Sequence, residues 1–171
     1  MQAVFETERL VVRPWTLDDV EAAFEIYGDP EVQKGLNGRA TKDLAEQRER
    51  LAATLEKNEQ WAGKFGYWAI ALRETDEVVG AVILKPLPDS DRIEVGWHLA
   101  RRHWGKGYAT EAGGGALRYG FDVLGLERVY AIALPWNVKS TAVMERLGMR
   151  SLGLTREYHD LELALYAIDR E

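Results

Sequence analysis

Arg101-Arg102-His103-Trp104-Gly105-Lys106-Gly107-Tyr108-Ala109-Thr110-Glu111-Ala112 follows a strand-like run, residues 93–99, and precedes a helix-like one. Two glycines one residue apart let a backbone approach an anion closely. The helix after them aims its unpaired N–H groups and the positive end of its dipole at the same place. The turn therefore reads as an anion cradle, and Arg101, Arg102, His103 and Lys106 make it the densest basic cluster of an acidic chain.

Dinucleotide-binding folds, nucleotide-hydrolysing P-loops and acyl-coenzyme A enzymes all use strand, glycine turn and helix. A P-loop places Ser or Thr after Gly-Lys to hold magnesium, whereas Gly107 follows Lys106 here. A dinucleotide fingerprint needs a third glycine where Thr110 stands, and it opens the first strand–helix unit instead of lying two thirds of the way along a chain.

The remaining composition sets bounds. With 171 residues, 46% of them hydrophobic, and no Pro/Gly/Ser linker, the chain reads as a single domain over residues 1–171. Its lack of cysteine excludes a disulfide framework, a thiolate nucleophile and a cysteine metal site, and no metal is expected. The start of the chain shows no targeting pattern, and the longest apolar stretches are strand-sized, so a cytoplasmic protein with no membrane partner is expected. A net charge of −6 argues against nucleic acid as a partner. The excess acid suits a cationic substrate, or serves solubility alone.

Periodicity gives a mixed order. Residues 4–13 read as a strand ended by Pro14, and Thr16 with Asp19 caps a helix over 17–27. Gly28-Asp29-Pro30 reads as a break followed by a loop to residue 40, and Thr41 or Asp43 opens a helix toward Asn58. Residues 67–72, 78–84 and 93–99 form an antiparallel meander. A helix to about residue 123 follows the cradle, then a strand over 128–134, a helix over 138–147 ended by Gly148, and a last strand near 161–168. Gly113-Gly114-Gly115 sits inside the helix after the cradle, where each glycine costs up to about 1 kcal/mol relative to alanine.

Arg102, Gly105 and Gly107 match the Arg/Gln-x-x-Gly-x-Gly/Ala motif A of the GNAT superfamily of N-acetyltransferases. Thr7-Glu8-Arg9-Leu10-Val11-Val12-Arg13-Pro14, Glu94-Val95-Gly96-Trp97-His98-Leu99, the cradle itself and Asn137-x-x-Ser140-x-x-x-x-Glu145-x-Leu147-Gly148-Met149 resemble, in order, its ribosomal-protein N-terminal acetyltransferase (Rim-type) branch. The resemblance implies an α/β GNAT fold: a mostly antiparallel twisted sheet of about six or seven strands, about four flanking helices, and a β-α-β core that binds acetyl-coenzyme A. It also implies an amine acceptor, either a protein N-terminal α-amine or a small molecule such as a polyamine, an amino acid or an antibiotic. Look-alikes are commonly homodimers. The alternative is a domain that binds acyl-coenzyme A as a sensor or scaffold without turnover.

Acetyl transfer to an amine needs a phosphate and pantetheine groove, donors to the thioester carbonyl, a base for the ammonium and an acid for the leaving thiolate. The N–H groups from Trp104 through Gly105, Lys106, Gly107 and Tyr108 to Ala109 are the candidates for the diphosphate, with charge from Arg102 or Lys106. The resemblance assigns the backbone of Trp97, His98 and Leu99 to the pantetheine and thioester, Asn137 to the pantetheine arm, and Ser140 to the thiolate as acid. The stretch from Trp61 to Trp68 borders the region that, by the resemblance, often shapes the acceptor pocket, although core packing or a dimer contact explains most of the six tryptophans.

Alternation along the strand sets Glu94, Gly96 and His98 on one face. A carboxylate on an apolar strand makes Glu94 the first choice for the base, acting through a water, unless it is simply paired. His98 is the second choice. Asn137 and Ser140 also have a complete structural reading as the opening of a helix. Tyr158 is a weaker candidate acid. With no cysteine, transfer is expected directly within a ternary complex, without a covalent acyl-enzyme.

Overall fold

A computed structural model describes residues 2–171. The apolar run at the start of the chain folds as two strands, β1 (Phe5–Glu6) and β2 (Leu10–Pro14), where its alternation predicts one. A tight turn separates them: the Thr7 N–H donates to Leu10 O (2.9 Å) and the Leu10 N–H donates to Thr7 Oγ1 (3.2 Å). Alternation alone cannot reveal a hairpin whose arms keep the same phase.

A single 3-10 turn, Leu17–Asp19, leads into α1 (Val20–Tyr27), and the Thr16 N–H donates to the Asp19 carboxylate as the capping box predicts (2.9 Å). The stretch read as a loop contains α2 (Pro30–Leu36). Asp29 is its N-cap, accepting from the Glu31 N–H at 2.9 Å, with Pro30 at the first helical position. Asp-Pro thus starts this helix, and reading it as a break overlooked proline's fit to the first turn. Asp43 caps α3 (Leu44–Gln60), accepting from Glu46 N–H at 2.8 Å.

The meander β3 (Gly66–Leu72), β4 (Val78–Pro86) and β5 (Ile93–Leu99) is as expected. After the cradle come α4 (Tyr108–Arg118), which ends in a π turn over Tyr119–Val123, then β6 (Arg128–Ala133), α5 (Val138–Arg146), β7 (Arg150–Thr155) and β8 (Leu163–Asp169). Strand β7 escapes sequence reading because nearly all of it is exposed at a sheet edge. Its alternation is also broken by Gly153 at φ 88° and by a register shift between Ser151 and Leu154.

One eight-stranded sheet results, ordered β1-β2-β3-β4-β5-β6-β8-β7, with more strands and helices than the six or seven and about four expected. Every neighbouring pair is antiparallel except β5 and β6. Leu10, Val12, Ile70, Val82, Val95 and Val129 form a core with Ala112 and Ala116 of α4. On the opposite face Ala69, Ala71 and Ala81 pack with Ala23 and Ile26 of α1 and with Leu51 of α3. Small side chains there let α1 and α3 lie close to the sheet.

The glycine triplet of α4 has an unequal explanation. A Cβ on Gly113 would lie 2.9 Å from Leu147 Cδ1 and 3.1 Å from the Trp97 ring, and one on Gly115 would lie 2.5 Å from the Phe5 ring. At Gly114 nothing is nearer than 3.6 Å. Two of the three therefore permit close helix–sheet packing, and the middle one is not required by contact. No helix among the described residues is long and apolar enough to cross a membrane.

Candidate active site

A 3-10 turn over Arg101–His103 ends β5, and the chain then passes through Gly105 at φ 75° and Gly107 at φ 82° before α4 begins. Both glycines hold the left-handed conformation that side chains disfavour. Gly107 is the N-cap of α4 and offers no side-chain cap. Among the described residues, the N–H groups of Gly105, Lys106, Gly107, Tyr108, Ala109 and Thr110 have no intramolecular acceptor. The Trp104 N–H, counted with them from sequence, is instead used by Arg101 O at 3.1 Å. Six free amides around two left-handed glycines at a helix N-terminus fit a diphosphate.

The hairpin turn at Thr7-Glu8-Arg9 braces this cradle. Arg9 Nε and its backbone N–H donate to the Glu111 carboxylate at 2.6 and 2.7 Å, Thr7 Oγ1 donates to it at 2.6 Å, and Arg9 Nη1 donates to Lys106 O at 2.9 Å. The guanidinium also lies 4.7 Å above the Tyr108 ring. These donors hold the Glu111 carboxyl below its usual pKa against the opposing effect of burial. Sequence reading used Thr7 and Arg9 as marks of resemblance and gave them no role.

Arg102, expected to add charge at the diphosphate, turns the other way. Its guanidinium pairs with Glu25 of α1 and with Glu77 before β4, leaving Lys106 as the cradle's cation without an ion pair among the described residues. Trp104 donates its indole N–H to Leu99 O at 3.0 Å, fixing the end of β5. Lys139 Nζ sits 4.3 Å above the Trp104 ring, so the start of α5 faces the cradle.

Strands β5 and β6 share one register pair, Glu94 with Tyr130, and part beyond it. Beyond that pair β6 no longer takes up the backbone of Trp97 and His98. Asn137 caps that helix, with Oδ1 accepting the Ser140 N–H at 3.3 Å. The Asn137 side-chain amide approaches Gly35 of α2 so closely that a Cβ there would lie 3.0 Å away. The unforeseen helix α2 therefore covers this end of the gap. The Ser140 hydroxyl makes no hydrogen bond among the described residues.

Across the sheet from α4, a cavity of about 230 Å³ opens between α1, α3 and the meander, walled by Trp15, Tyr27, Leu51, Thr54, Tyr67 and His98. Gln47, Arg50 and Lys57 of α3 complete it. Tyr67, Trp15 and Tyr27 supply its aromatic wall, so the stretch from Trp61 to Trp68 reaches the cavity through Tyr67, while Trp61 and Trp68 do not line it. A larger recess, of about 510 Å³, lies at the exposed start of α3, away from the gap, and does not include any of the expected site residues.

His98 projects into the smaller cavity with Nδ1 2.9 Å from Tyr27 Oη. Burial, helped by the Lys85 charge, lowers the His98 pKa to about 4, so the ring is neutral near pH 7. Burial raises the Tyr27 phenol and, to a smaller extent, that of Tyr67.

Glu94 lies on the same face as expected, but it is paired: Lys85 Nζ donates to Oε1 at 2.6 Å, both side chains being nearly buried. The paired alternative named from sequence is therefore the one that holds, with Lys85 as a partner that only the β4–β5 register brings alongside. Tyr158 is buried beside Leu87, Leu163 and Leu165, and its hydroxyl accepts from Arg92 Nη1 at 2.9 Å.

A family model described as the acetyltransferase (GNAT) domain matches residues 9–150. The chain belongs to this family. Its GNAT relatives include the uncharacterized N-acetyltransferase p20 of Bacillus licheniformis, 33% identical over 153 residues, with 89% of this chain and 85% of that protein covered. An acetyltransferase from Agrobacterium tumefaciens is similar in structure, with a TM-score of 0.81 and 31% identity over 96% of this chain and 93% of the other. RimL, a ribosomal L7/L12 α-N-protein acetyltransferase solved in complex with coenzyme A, shares the fold at a TM-score of 0.80, with 15% identity and 98% of each chain covered.

Membership makes the chain an acetyl-coenzyme A-dependent N-acetyltransferase by class. The mixed sheet, the parallel β5–β6 pair and the helix after the cradle are the GNAT architecture that the sequence implied.

Proposed function

We propose that this GNAT chain transfers an acetyl group from acetyl-coenzyme A directly to a primary amine, both bound at once on opposite sides of the β5–β6 gap. The observation that carries this reading is the run of six unpartnered amides, Gly105 to Thr110, just beyond a strand whose His98 side chain lines the cavity. The diphosphate binds those amides, with Lys106 adding charge. The pantetheine arm runs along Trp97, His98 and Leu99 past Asn137, which brings the thioester toward the cavity.

In the chemical step the neutral amine attacks the thioester carbonyl, the C–N bond forms, and the C–S bond breaks. One proton leaves the ammonium before attack and another leaves the nitrogen afterwards, while the thiolate takes one up. Glu94 takes protons from the amine through a water, accepting them at the carboxylate oxygen that Lys85 does not hold. His98, neutral and hydrogen-bonded to Tyr27, is the second choice for the base. Ser140, whose hydroxyl has no other partner among the described residues, protonates the thiolate. The Rim-type resemblance favours a peptide N-terminal α-amine, and a cavity of about 230 Å³ also suits a small-molecule amine.

Thiol release from acetyl-coenzyme A against a panel of peptides and small amines tests the reading. Saturable release with at least one acceptor supports it. Tight binding of acetyl-coenzyme A without release against any acceptor would favour the scaffold or sensor alternative.

A further inference from the structure

The wall that α3 presents to the His98 cavity is cationic. Gln47, Arg50, Leu51, Thr54 and Lys57 recur at helical spacing, so one face of α3 lines the cavity from end to end. Arg50 and Lys57 are two turns apart, about 10 Å along the axis. Asn58 fixes this part of α3 to the sheet, donating to Tyr67 O at 2.8 Å and accepting from Tyr67 N–H at 2.9 Å.

The positive charge is not neutralised locally. Arg50 shares the Glu46 carboxylate with Arg39, so two guanidiniums face one carboxylate. Lys57 makes no ion pair among the described residues, and no Asp or Glu lines the cavity. Glu94, beyond the cavity wall, is already matched by Lys85. The chain's charge of −6, which read from composition as suiting a cationic substrate, is therefore reversed where the acceptor would sit.

We infer that the acceptor is a primary amine that also carries a carboxylate, its anionic end held by Lys57 and Arg50 and its amine directed past His98 to the thioester. This deepens the proposed function and rests on it. A polyamine has no group to match these cations and adds repulsion of its own. Thr54 and the Tyr67 hydroxyl supply neutral hydrogen-bonding groups along the same path. Two sources share the required chemistry: a free amino acid-like compound, and a peptide with an acidic side chain close to its N-terminus.

The experiment compares matched pairs that differ only in the anion. ω-Amino acids of increasing length are set against their carboxamides, tetrapeptides with Glu at the second position against the same peptides with Gln, and spermidine is a further acceptor. Binding in the presence of coenzyme A is followed by isothermal titration calorimetry, and turnover by thiol release.

The expected result is at least about tenfold tighter binding of the carboxylate member of one set, which identifies the source. That preference should fall to near unity in Lys57→Gln combined with Arg50→Gln, with coenzyme A affinity as the control for folding. Equal binding of both members of every pair, tighter binding of spermidine, or a preference that persists in the double variant overturns the inference. A carboxylate preference without thiol release would sustain the inference and defeat the catalytic reading, so the two fail separately.

Discussion

Arg9 and Glu111 meet across a sequence separation of 102 residues, guanidinium Nε to carboxylate Oε2 at 2.6 Å and backbone N–H to Oε1 at 2.7 Å. The same arginine bonds Lys106 O, so the β1–β2 turn holds both the entry to α4 and the middle of the cradle. The amides are free to bind because other groups fix the loop that carries them. Preorganisation of this kind reduces the ordering cost of binding.

Breaking the brace should therefore act on the donor more than on chemistry. Glu111→Gln and Arg9→Ala are each expected to raise the KM for acetyl-coenzyme A about tenfold, equivalent to about 1.4 kcal/mol, with a much smaller change in kcat. Steady-state kinetics with acetyl-coenzyme A varied at fixed acceptor checks this. An unchanged KM in a folded variant contradicts a role for the hairpin in shaping the cradle.

The triplet in α4 separates glycines needed for contact from one that is not. Gly114→Ala should stabilise the fold by up to about 1 kcal/mol, through helix propensity and a less flexible unfolded chain. Gly115→Ala should destabilise it, because the new Cβ falls 2.5 Å from the Phe5 ring and 2.9 Å from Thr7 Cγ2. Urea denaturation of the two variants beside the parent gives the signs, and the same sign for both would refute this division.

The cradle and the meander were legible because their signals are local: paired glycines between strand and helix, and β-rich runs punctuated by turns. Helix α2 was missed for a local reason too, since Asp29-Pro30 both ends one element and caps the next. Other features depend on register and packing, which no short window records. Lys85 neutralises Glu94 only because β4 and β5 pair so that the two residues face each other. Arg102 turns toward Glu25 only because α1 lies beside the loop. Arg50 and Lys57 of α3 were not singled out from sequence, because only the packing of α3 on the sheet brings them to the cavity.

The Lys85–Glu94 pair is nearly buried, so removing one partner strands the other. Lys85→Met and Glu94→Leu should each lower stability by about 3 kcal/mol, while the two substitutions together recover much of that loss. Thermal melts of the three proteins test the coupling. Additive losses in the double variant would mean that the pair does not act as a unit. In kinetic assays Glu94→Gln should also lower kcat and flatten its rise with pH, and profiles that overlay the parent's assign the base elsewhere.

His98 gives a pH signature with a defined sign. Its folded-state pKa, lowered from 6.5 to about 4 by burial and then by the Lys85 charge, means that the native state resists a proton that the unfolded chain accepts. The favourable contribution of neutral His98 is complete above pH 6.5, fades as pH falls from 6.5 toward 4, and is exhausted below that. Between pH 7.5 and 4.5 the parent should lose more unfolding free energy than His98→Gln does, the other groups cancelling in the difference. Chemical denaturation at the two pH values measures it, and parallel losses would show that His98 titrates normally.

The central claim is that the amides from Gly105 to Thr110 receive the coenzyme's diphosphate. Backbone amide NMR of the labelled protein, titrated with coenzyme A, tests it residue by residue. The largest shifts should fall on Gly105, Lys106, Gly107, Tyr108, Ala109 and Thr110 and saturate at one equivalent. Binding that leaves those signals in place while resonances elsewhere move would contradict it.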